Sequence, residues 1–239
     1  MDGPIILSSY DGGRHNADLD KTISRLDREA MWKDVSTVIV TPASEAIPTR
    51  IVHAWMNLIK PPNGKITHLF AQGTEVGEAY SRTVEGILAH PDLGKWKYLL
   101  TLEHDNSPPP DGIVKLLAQM EAHPELSAIG GLYFTKGEGG CAQIWGDPRE
   151  MPVNYRPQKP VPEALVECCG TGMGFTMFRL SMFKDKRLRR PWFKTPASRE
   201  EGSATQDLYF WGDARQHGYR CAVSCDIKVG HLDSEGVMW

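Results

Sequence analysis

Two carboxylates stand at the end of an apolar stretch near the middle of the chain. Residues 98–102, YLLTL, carry large apolar side chains without a turn signal, which is typical of a buried strand in a parallel sheet. Glu103 and Asp105 follow, and side chains two residues apart point to the same side of an extended chain. Hard divalent cations prefer oxygen ligands, so this pair predicts a metal site. An acidic pair in a solvated turn would have the same sequence, and the pair alone does not distinguish the two.

Strands and helices alternate around these carboxylates. The apolar patterns predict strands at residues 36–41, 66–71, 98–102 and 126–134, separated by helices at 49–60, 76–88 and 112–122. Three rounds of this alternation predict an α/β fold with a mostly parallel central sheet, flanked by helices. Ligands of such open sheets bind beyond the carboxyl ends of the strands, where Glu103 and Asp105 are placed.

The pattern becomes irregular after residue 135. Glycines and prolines at 136–162 predict a long loop segment with a short hairpin at 142–145, and long loops in compact domains are often functional. Further elements are predicted as strands at 163–169, 175–178 and 219–223 and a helix at 205–217. Residues 184–194 are basic and aromatic, which indicates either a solvated basic edge or a contact for a polyanion.

Composition argues against several classes of protein. The 239 residues have a formal net charge of −3, which disfavours general binding to nucleic acid. No apolar run is long enough to span a bilayer, and the first residues lack the basic start and apolar core of a signal peptide. The five cysteines form no CxxC pair, which disfavours a zinc ribbon or a disulfide framework. We therefore predict a cytoplasmic protein without a membrane span.

Four segments occur in an order that resembles the GT-A fold glycosyltransferases, close to the family-2-like group. They are the strand that ends in Glu103-His104-Asp105, the glycine-rich stretch 169–179, the motifs 191–193 and 205–207, and the motifs 218–219 and 230–231. The resemblance covers residues 36–232. It implies a GT-A (Rossmann-like) domain at 35–239, divided into a nucleotide-binding half at 35–135 and an acceptor-binding half with irregular loops at 136–239. Residues 1–34 are then an N-terminal extension that packs on this domain or mediates self-association into a homo-oligomer.

The resemblance implies a divalent cation, Mn²⁺ or Mg²⁺, as cofactor. Asp105 stands where the family places the last carboxylate of its DxD motif. Glu103 stands where the first Asp usually lies, and this departure implies that it reaches the metal through water or touches the ribose. His231 matches a late histidine that supplies a further metal ligand in many relatives, although by itself it reads as an ordinary histidine. Imidazole suits Mn²⁺ better than Mg²⁺, which favours Mn²⁺.

The resemblance also implies roles in sugar transfer. Asp207 matches the general base of inverting members, and a helix N-terminus would keep its carboxylate ionised, but a plain helix cap is the alternative. The donor nucleotide is expected near Thr41, Pro42, Glu45, Arg82 and His104. The acceptor is expected near Gly172, Trp192, Phe193 and Gln206. Trp192 and Phe193 either stack on a sugar ring or pack in the core.

These roles predict a metal-dependent transfer of a sugar from a UDP- or GDP-linked donor to an acceptor hydroxyl, with inversion at the anomeric carbon. The acceptor is a glycan or another hydroxyl-bearing molecule, and is polyanionic, modified DNA included, if residues 184–194 contact it. A retaining glycosyltransferase and a non-catalytic sugar- or nucleotide-binding module are the alternatives. A nucleotidyltransferase ranks low, because it usually needs a glycine-rich phosphate loop after the first strand and residues 41–49 contain no glycine.

Overall fold

The computed structural model describes residues 34–43, 46–61, 65–195 and 205–239. Residues 1–33 lie outside the described ranges, and they make up nearly all of the predicted N-terminal extension. Glu45, a predicted nucleotide contact, also lies outside them. The strands are β1 (Thr37–Ala43), β2 (Ile66–Gln72), β3 (Tyr98–Leu102), β4 (Asn106–Ser107), β5 (Ala128–Leu132), β6 (Ile144–Trp145), β7 (Leu165–Cys168), β8 (Gly170–Thr171), β9 (Phe175–Arg179), β10 (Cys221–Lys228) and β11 (Gly230–His231). The helices are α1 (Thr49–Met56), α2 (Val76–Ala89), α3 (Gly112–Ala122) and α4 (Gln206–Ala214).

A mixed sheet of seven strands organises the part of the chain that the structure describes. Its order is β2-β1-β3-β9-β5-β10-β7, and β1, β2, β3, β5 and β10 run in one direction. The strand β9 lies antiparallel between β3 and β5, and β7 lies antiparallel at the edge beside β10. The predicted α/β class with a mostly parallel sheet is therefore confirmed.

The connection that leads into β9 differs from those of the parallel strands. Parallel neighbours need a long crossover connection, which is usually a helix. The helices α1, α2 and α3 supply such crossovers for β1, β2, β3 and β5. The chain between β5 and β9 contains only the short strands β6, β7 and β8 and irregular segments, and β9 enters the sheet in the opposite direction.

Apolar side chains cover both faces of the sheet. One buried cluster contains Tyr80 and Val84 of α2 together with Trp211 of α4. The other contains Leu117 and Met120 of α3, which pack on the opposite face. The strand β3 is fully buried because it lies between β1 and β9, as expected for a central strand. The two faces together hold the carboxyl end of β3 in a fixed position.

The aromatic pair Trp192 and Phe193 belongs to this core. Each side chain is 1% exposed, and the ring of Phe193 lies 4.7 Å from that of Phe210, centroid to centroid. The ring of Trp192 packs edge-on against Phe183. Neither ring is available to stack on a sugar, so the predicted acceptor role of both residues is wrong. The alternative prediction, packing in the core, is confirmed.

The basic side chains of the stretch 184–194 are exposed, as predicted for a solvated basic edge, whereas the loop segment 136–162 differs from its prediction. The guanidinium of Arg189 stacks on Tyr209, that of Arg190 on Trp192, and Arg187 pairs with Asp185. In the loop segment, β6 pairs with β8, so the predicted hairpin at 142–145 is replaced by a pairing with a distant strand.

No helix in the described ranges is long and apolar enough to cross a membrane.

Candidate functional site

Two short strands beyond the carboxyl end of β3 bring Asp105 and His231 together. The strand β4 pairs antiparallel with β11, so that His231 lies opposite Asn106. The backbone N–H of Leu232 donates to the carbonyl of Asp105 across 2.8 Å. As a result, the Nε2 atom of His231 lies 3.6 Å from Oδ2 of Asp105, although 126 positions separate the two residues in the sequence. The proximity predicted for this pair is confirmed.

The imidazole of His231 is held in one orientation. Its Nδ1 atom lies 2.7 Å from the carbonyl oxygen of Phe134, and the ring packs edge-on against Tyr133. A carbonyl oxygen only accepts, so Nδ1 donates the proton and Nε2 faces the Asp105 carboxylate. Metal-bound histidines commonly have this arrangement, with the other ring nitrogen fixed by a backbone carbonyl.

The Asp105 carboxylate is ionised and only partly paired. Lys136 donates to its Oδ2 atom across 2.5 Å. Burial by itself would raise the pKa of Asp105, but the contacts with His231 and Lys136 outweigh burial and hold this pKa well below its usual range. The other oxygen, Oδ1, is buried and has no hydrogen-bond partner among the described residues. A buried carboxylate oxygen without a partner is a position suited to a ligand.

These groups define what kind of metal site the chain can provide. No cluster of three or more His, Cys, Asp or Glu side chains in the described part of the chain is placed to hold a metal ion. Asp105 and His231 offer one oxygen and one nitrogen ligand, a set that fits Mn²⁺ when substrate oxygens complete the coordination. Metal binding stays a prediction, and the residues present fit it as a two-ligand site.

Glu103 occupies the space between these residues and Asp207. The hydroxyl of Tyr80 donates to its Oε1 atom across 3.3 Å. Burial, followed by the negative charges of Asp105 and Asp207, raises the pKa of Glu103 to about 8. The side chain is therefore mostly protonated at neutral pH, which makes it a hydrogen-bond donor rather than an anionic ligand. Its predicted contact with metal or ribose stays a prediction.

A cleft of about 890 Å³, here called the donor-side cleft, opens at the carboxyl ends of β1, β2 and β3. Its described lining residues are Pro42, Ala43, Ala71, Gln72, Gly73, Thr74, Glu75, Val76, Glu103, His104, Asp105 and Gln206. Of the predicted nucleotide contacts, Pro42 and His104 lie here. The turn 72–75 was not predicted as part of the site. Its signal is Gly73 between a strand and a helix, and Glu75 caps α2 by accepting from the N–H groups of Gly77 and Glu78.

Two predicted nucleotide contacts lie elsewhere. Thr41 is fully buried, and its hydroxyl donates to the carbonyl of Leu102 across 2.6 Å, which ties β1 to β3 beneath the cleft. Arg82 lies on the solvent side of α2 with 70% of its side chain exposed, and it pairs with Glu78 one turn away. Neither residue lines the donor-side cleft, so both predictions are wrong for direct nucleotide contact in this conformation.

A second cleft of about 590 Å³, here called the acceptor-side cleft, adjoins the first. Its described lining residues are Glu103, Tyr133, Thr135, Gln143, Trp145, Tyr155, Met173, Thr205, Gln206, Asp207, Leu208 and His231. Glu103 and Gln206 line both clefts, which places the junction at these two side chains. Gly172 is buried behind the wall, where an added Cβ would collide with the hydroxyl of Tyr133, so its predicted acceptor contact is wrong.

Asp207 reaches the acceptor-side cleft from the first turn of α4. Thr205 is the N-cap residue of this helix but makes no side-chain cap hydrogen bond, whereas Oδ1 of Asp207 accepts from the backbone N–H of Leu208 across 2.9 Å. The alternative prediction, that Asp207 caps its helix, is therefore supported, and its role as a base stays a prediction. Burial raises the pKa of Asp207 above its ordinary value, although hydrogen bonds from Thr205 and from the backbone N–H of Leu208 oppose this shift. A carboxylate with a raised pKa inside a cleft is suited to accept a proton from a bound hydroxyl.

Comparisons with known proteins give a likeness in structure only. No protein-family model matches the chain, and a comparison with curated proteins gives no match. The crystal structure of A197 from STIV is similar, with a TM-score of 0.60 and 16% sequence identity over 84% of this chain and 87% of that one. At this identity, the likeness shows a shared fold.

Two crystal structures of S. aureus TarS are also similar to this chain, over part of the TarS length. One has a TM-score of 0.49 and 13% identity, and it aligns with 81% of this chain and 36% of that chain. The other, TarS 1–349, has a TM-score of 0.48 and 13% identity, with 81% of this chain and 60% of that chain covered. This chain therefore spans about a third of the longer TarS chain.

A buried glycine supports both clefts, and we predict that its replacement destabilises the protein. A Cβ at Gly174 would lie 2.7 Å from Oδ1 of Asn106 and 2.7 Å from the ring of Tyr133. Gly174→Ala should therefore cost about 1–3 kcal/mol of unfolding free energy, the scale of overpacking in a core. The matched change Gly86→Ala, where nothing lies within 4 Å of the new Cβ, should stabilise the protein by about 0.5–1 kcal/mol, because Gly86 lies inside α2. Urea unfolding of both variants measures the difference, and equal stabilities would contradict this account.

Proposed function

We propose that the protein is a metal-dependent glycosyltransferase, which moves a sugar from a nucleotide-sugar donor to an acceptor hydroxyl with inversion. The observation that carries the proposal is the junction of the two clefts. Asp105 lines the donor-side cleft, His231 lines the acceptor-side cleft, and the two side chains meet between them. A transferase needs this plan, because donor and acceptor must bind side by side with the reacting atoms at the boundary.

The donor-side cleft supplies the nucleotide site in this proposal. It lies at the carboxyl ends of parallel strands, where open α/β sheets bind their ligands. Asp105 and His231 would hold the cation, which when bound supplies Lewis-acid stabilisation of the departing diphosphate. Pro42 and His104 would contact the nucleotide, for which UDP and GDP are the candidates.

The acceptor-side cleft supplies the acceptor site and the general base. The half-buried side chains of Trp145 and Tyr155 give this cleft an aromatic wall, which suits the apolar face of a sugar ring. The indole N–H of Trp145 donates to Oε1 of Gln143 across 2.8 Å, which fixes the orientation of that ring. Asp207 would accept the proton of the attacking hydroxyl. Glu103, a buried carboxyl with a raised pKa, would lie at the boundary of the two sites.

A donor-hydrolysis screen tests this proposal. The protein is incubated with a panel of sugar nucleotides, with Mn²⁺, with Mg²⁺ and with a chelator, and release of free sugar and nucleotide is followed. We expect release from one class of UDP- or GDP-linked donor, dependent on the added cation. Calorimetry with UDP and GDP separates the alternatives, because failure to bind either nucleotide would favour a non-catalytic sugar-binding module. Retention of anomeric configuration in the product NMR spectrum would contradict the role of Asp207 as base.

A further inference from the structure

A lysine that sequence patterns do not single out holds the central carboxylate. Lys136 follows the end of the apolar region 128–135, and its Nζ atom lies 2.5 Å from Oδ2 of Asp105. The Nε2 atom of His231 faces the same oxygen at 3.6 Å. The carboxylate that the proposed function assigns to a metal therefore already has a cation on one of its oxygens.

The Lys136 ammonium and a divalent cation repel each other when both contact the Asp105 carboxylate. Both carry positive charge, and the site is partly buried, with 18% of the Asp105 side chain exposed, so solvent screens their repulsion incompletely. A cation on the unpartnered Oδ1 of Asp105 would therefore be repelled by the Lys136 ammonium on Oδ2, and movement of the ammonium away from Oδ2 would relieve that repulsion. Lys136 is an exposed residue, so the ammonium that leaves Oδ2 can be solvated or can contact another anion nearby.

The backbone next to Lys136 permits such a displacement. Gly137 and Gly139 both have positive φ, at 92° and 78°, and nothing lies within 4 Å of the position that a Cβ would occupy in either residue. The turn therefore has open space beside Gly137 and Gly139. A lysine at the edge of such a turn can move its side chain without disturbing the core.

We propose that Lys136 is a positioning residue that competes with the divalent cation for Asp105 and makes cation binding depend on the donor diphosphate. This inference rests on the proposed function. Without nucleotide, Lys136 neutralises Asp105 and the cation binds weakly. A nucleoside diphosphate offers the ammonium another anionic partner, so Lys136 leaves Asp105 and the cation enters. Coupling of this kind is reciprocal, so the cation strengthens nucleotide binding by the same factor.

Titration of Mn²⁺ alone into the full chain, followed by calorimetry, tests the competition. Lys136→Met should bind Mn²⁺ about tenfold more tightly than the wild type, the scale of losing one neighbouring cation at a partly buried site. Lys136→Arg keeps the charge and should behave as the wild type does. Lys95→Met removes an exposed lysine beside Trp96, before β3 begins, and serves as the matched control with unchanged Mn²⁺ affinity.

The same titration in the presence of saturating UDP, and separately GDP, tests the coupling. In the wild type, the nucleotide that binds should raise Mn²⁺ affinity by a larger factor than in Lys136→Met, with about a tenfold difference between the two factors. Equal Mn²⁺ affinity of the wild type and Lys136→Met, when Asp105→Ala binds less Mn²⁺, would overturn this role of Lys136 alone. Absence of Mn²⁺ binding in every variant, with and without nucleotide, would overturn it together with the metal dependence of the proposed function.

Discussion

Asp207→Asn is expected to lower turnover by about two or more orders of magnitude, the scale of losing a general base. The amide has the same shape as the carboxylate but does not accept a proton from the attacking hydroxyl. Donor affinity should stay nearly unchanged, because Asp207 lines the acceptor-side cleft and does not line the donor-side cleft. Steady-state kinetics with the donor found in the screen, and calorimetry with its nucleotide, measure the two quantities separately.

The pH dependence of turnover gives a second measure of the same role. A base must be ionised, so activity is lost as the pH falls through the pKa of Asp207, which burial raises above its ordinary value. The residual activity of Asp207→Asn should not show this loss at low pH. Asp213→Asn, the same change further along α4, is the control, because Asp213 contacts the backbone N–H of Arg189 and lines neither cleft. A fully active Asp207→Asn variant would show that the mechanism is wrong even though the fold is right.

The sequence predicts the centre of the site because strand burial fixes it. An apolar run such as residues 98–102 has to be buried, and the residues that follow it then emerge at the carboxyl edge of the sheet. Asp105 and Pro42 both lie where this rule places them. The prediction that His231 lies close to Asp105 came instead from the order of the motifs. The short pairing of β4 with β11, which brings the two residues together, has no strong sequence pattern.

The errors among the predicted contacts have physical causes. Arg82 is two positions from the buried Tyr80 in α2, which is about 200° around the helix, so its exposure could have been deduced from helical periodicity. Trp192 and Phe193 lie in irregular chain, where no periodicity shows whether an aromatic side chain is inside or outside. Their burial depends on contacts with Phe183 and Phe210, which come together only in the folded protein.

The acceptor-side wall could not be predicted for a related reason. Trp145 and Tyr155 come from the loop segment 136–162, where long-range contacts decide the path of the chain. The pairing of Trp145 with Gly170 places this tryptophan beside the cleft, and the sequence carries no signal for a pairing of two residues. The position of Lys136 could not be predicted either, because its contact with Asp105 depends on where the chain leaves β5.

Asp105→Ala is expected to abolish the cation dependence of nucleotide binding. The change removes the only carboxylate that His231 contacts among the described residues, and a lone imidazole does not hold Mn²⁺ against water at ordinary concentrations. Binding of UDP or GDP in the presence of Mn²⁺ should fall to the level seen with a chelator. That metal-free level should not fall further, because the Lys136 ammonium is then free to meet the diphosphate. Calorimetry with each nucleotide, with and without Mn²⁺, measures both effects.

Asp147→Ala is the matched control for this change. Asp147 also pairs with a basic side chain at 2.5 Å, and 19% of its side chain is exposed, against 18% for Asp105. It lines neither cleft, so its loss should leave the cation dependence of nucleotide binding intact. If Asp105→Ala keeps the full effect of Mn²⁺ on nucleotide affinity, the cation binds elsewhere. The meeting of Asp105 with His231 would then be a structural contact, because a ligand of the cation could not be removed without weakening its binding.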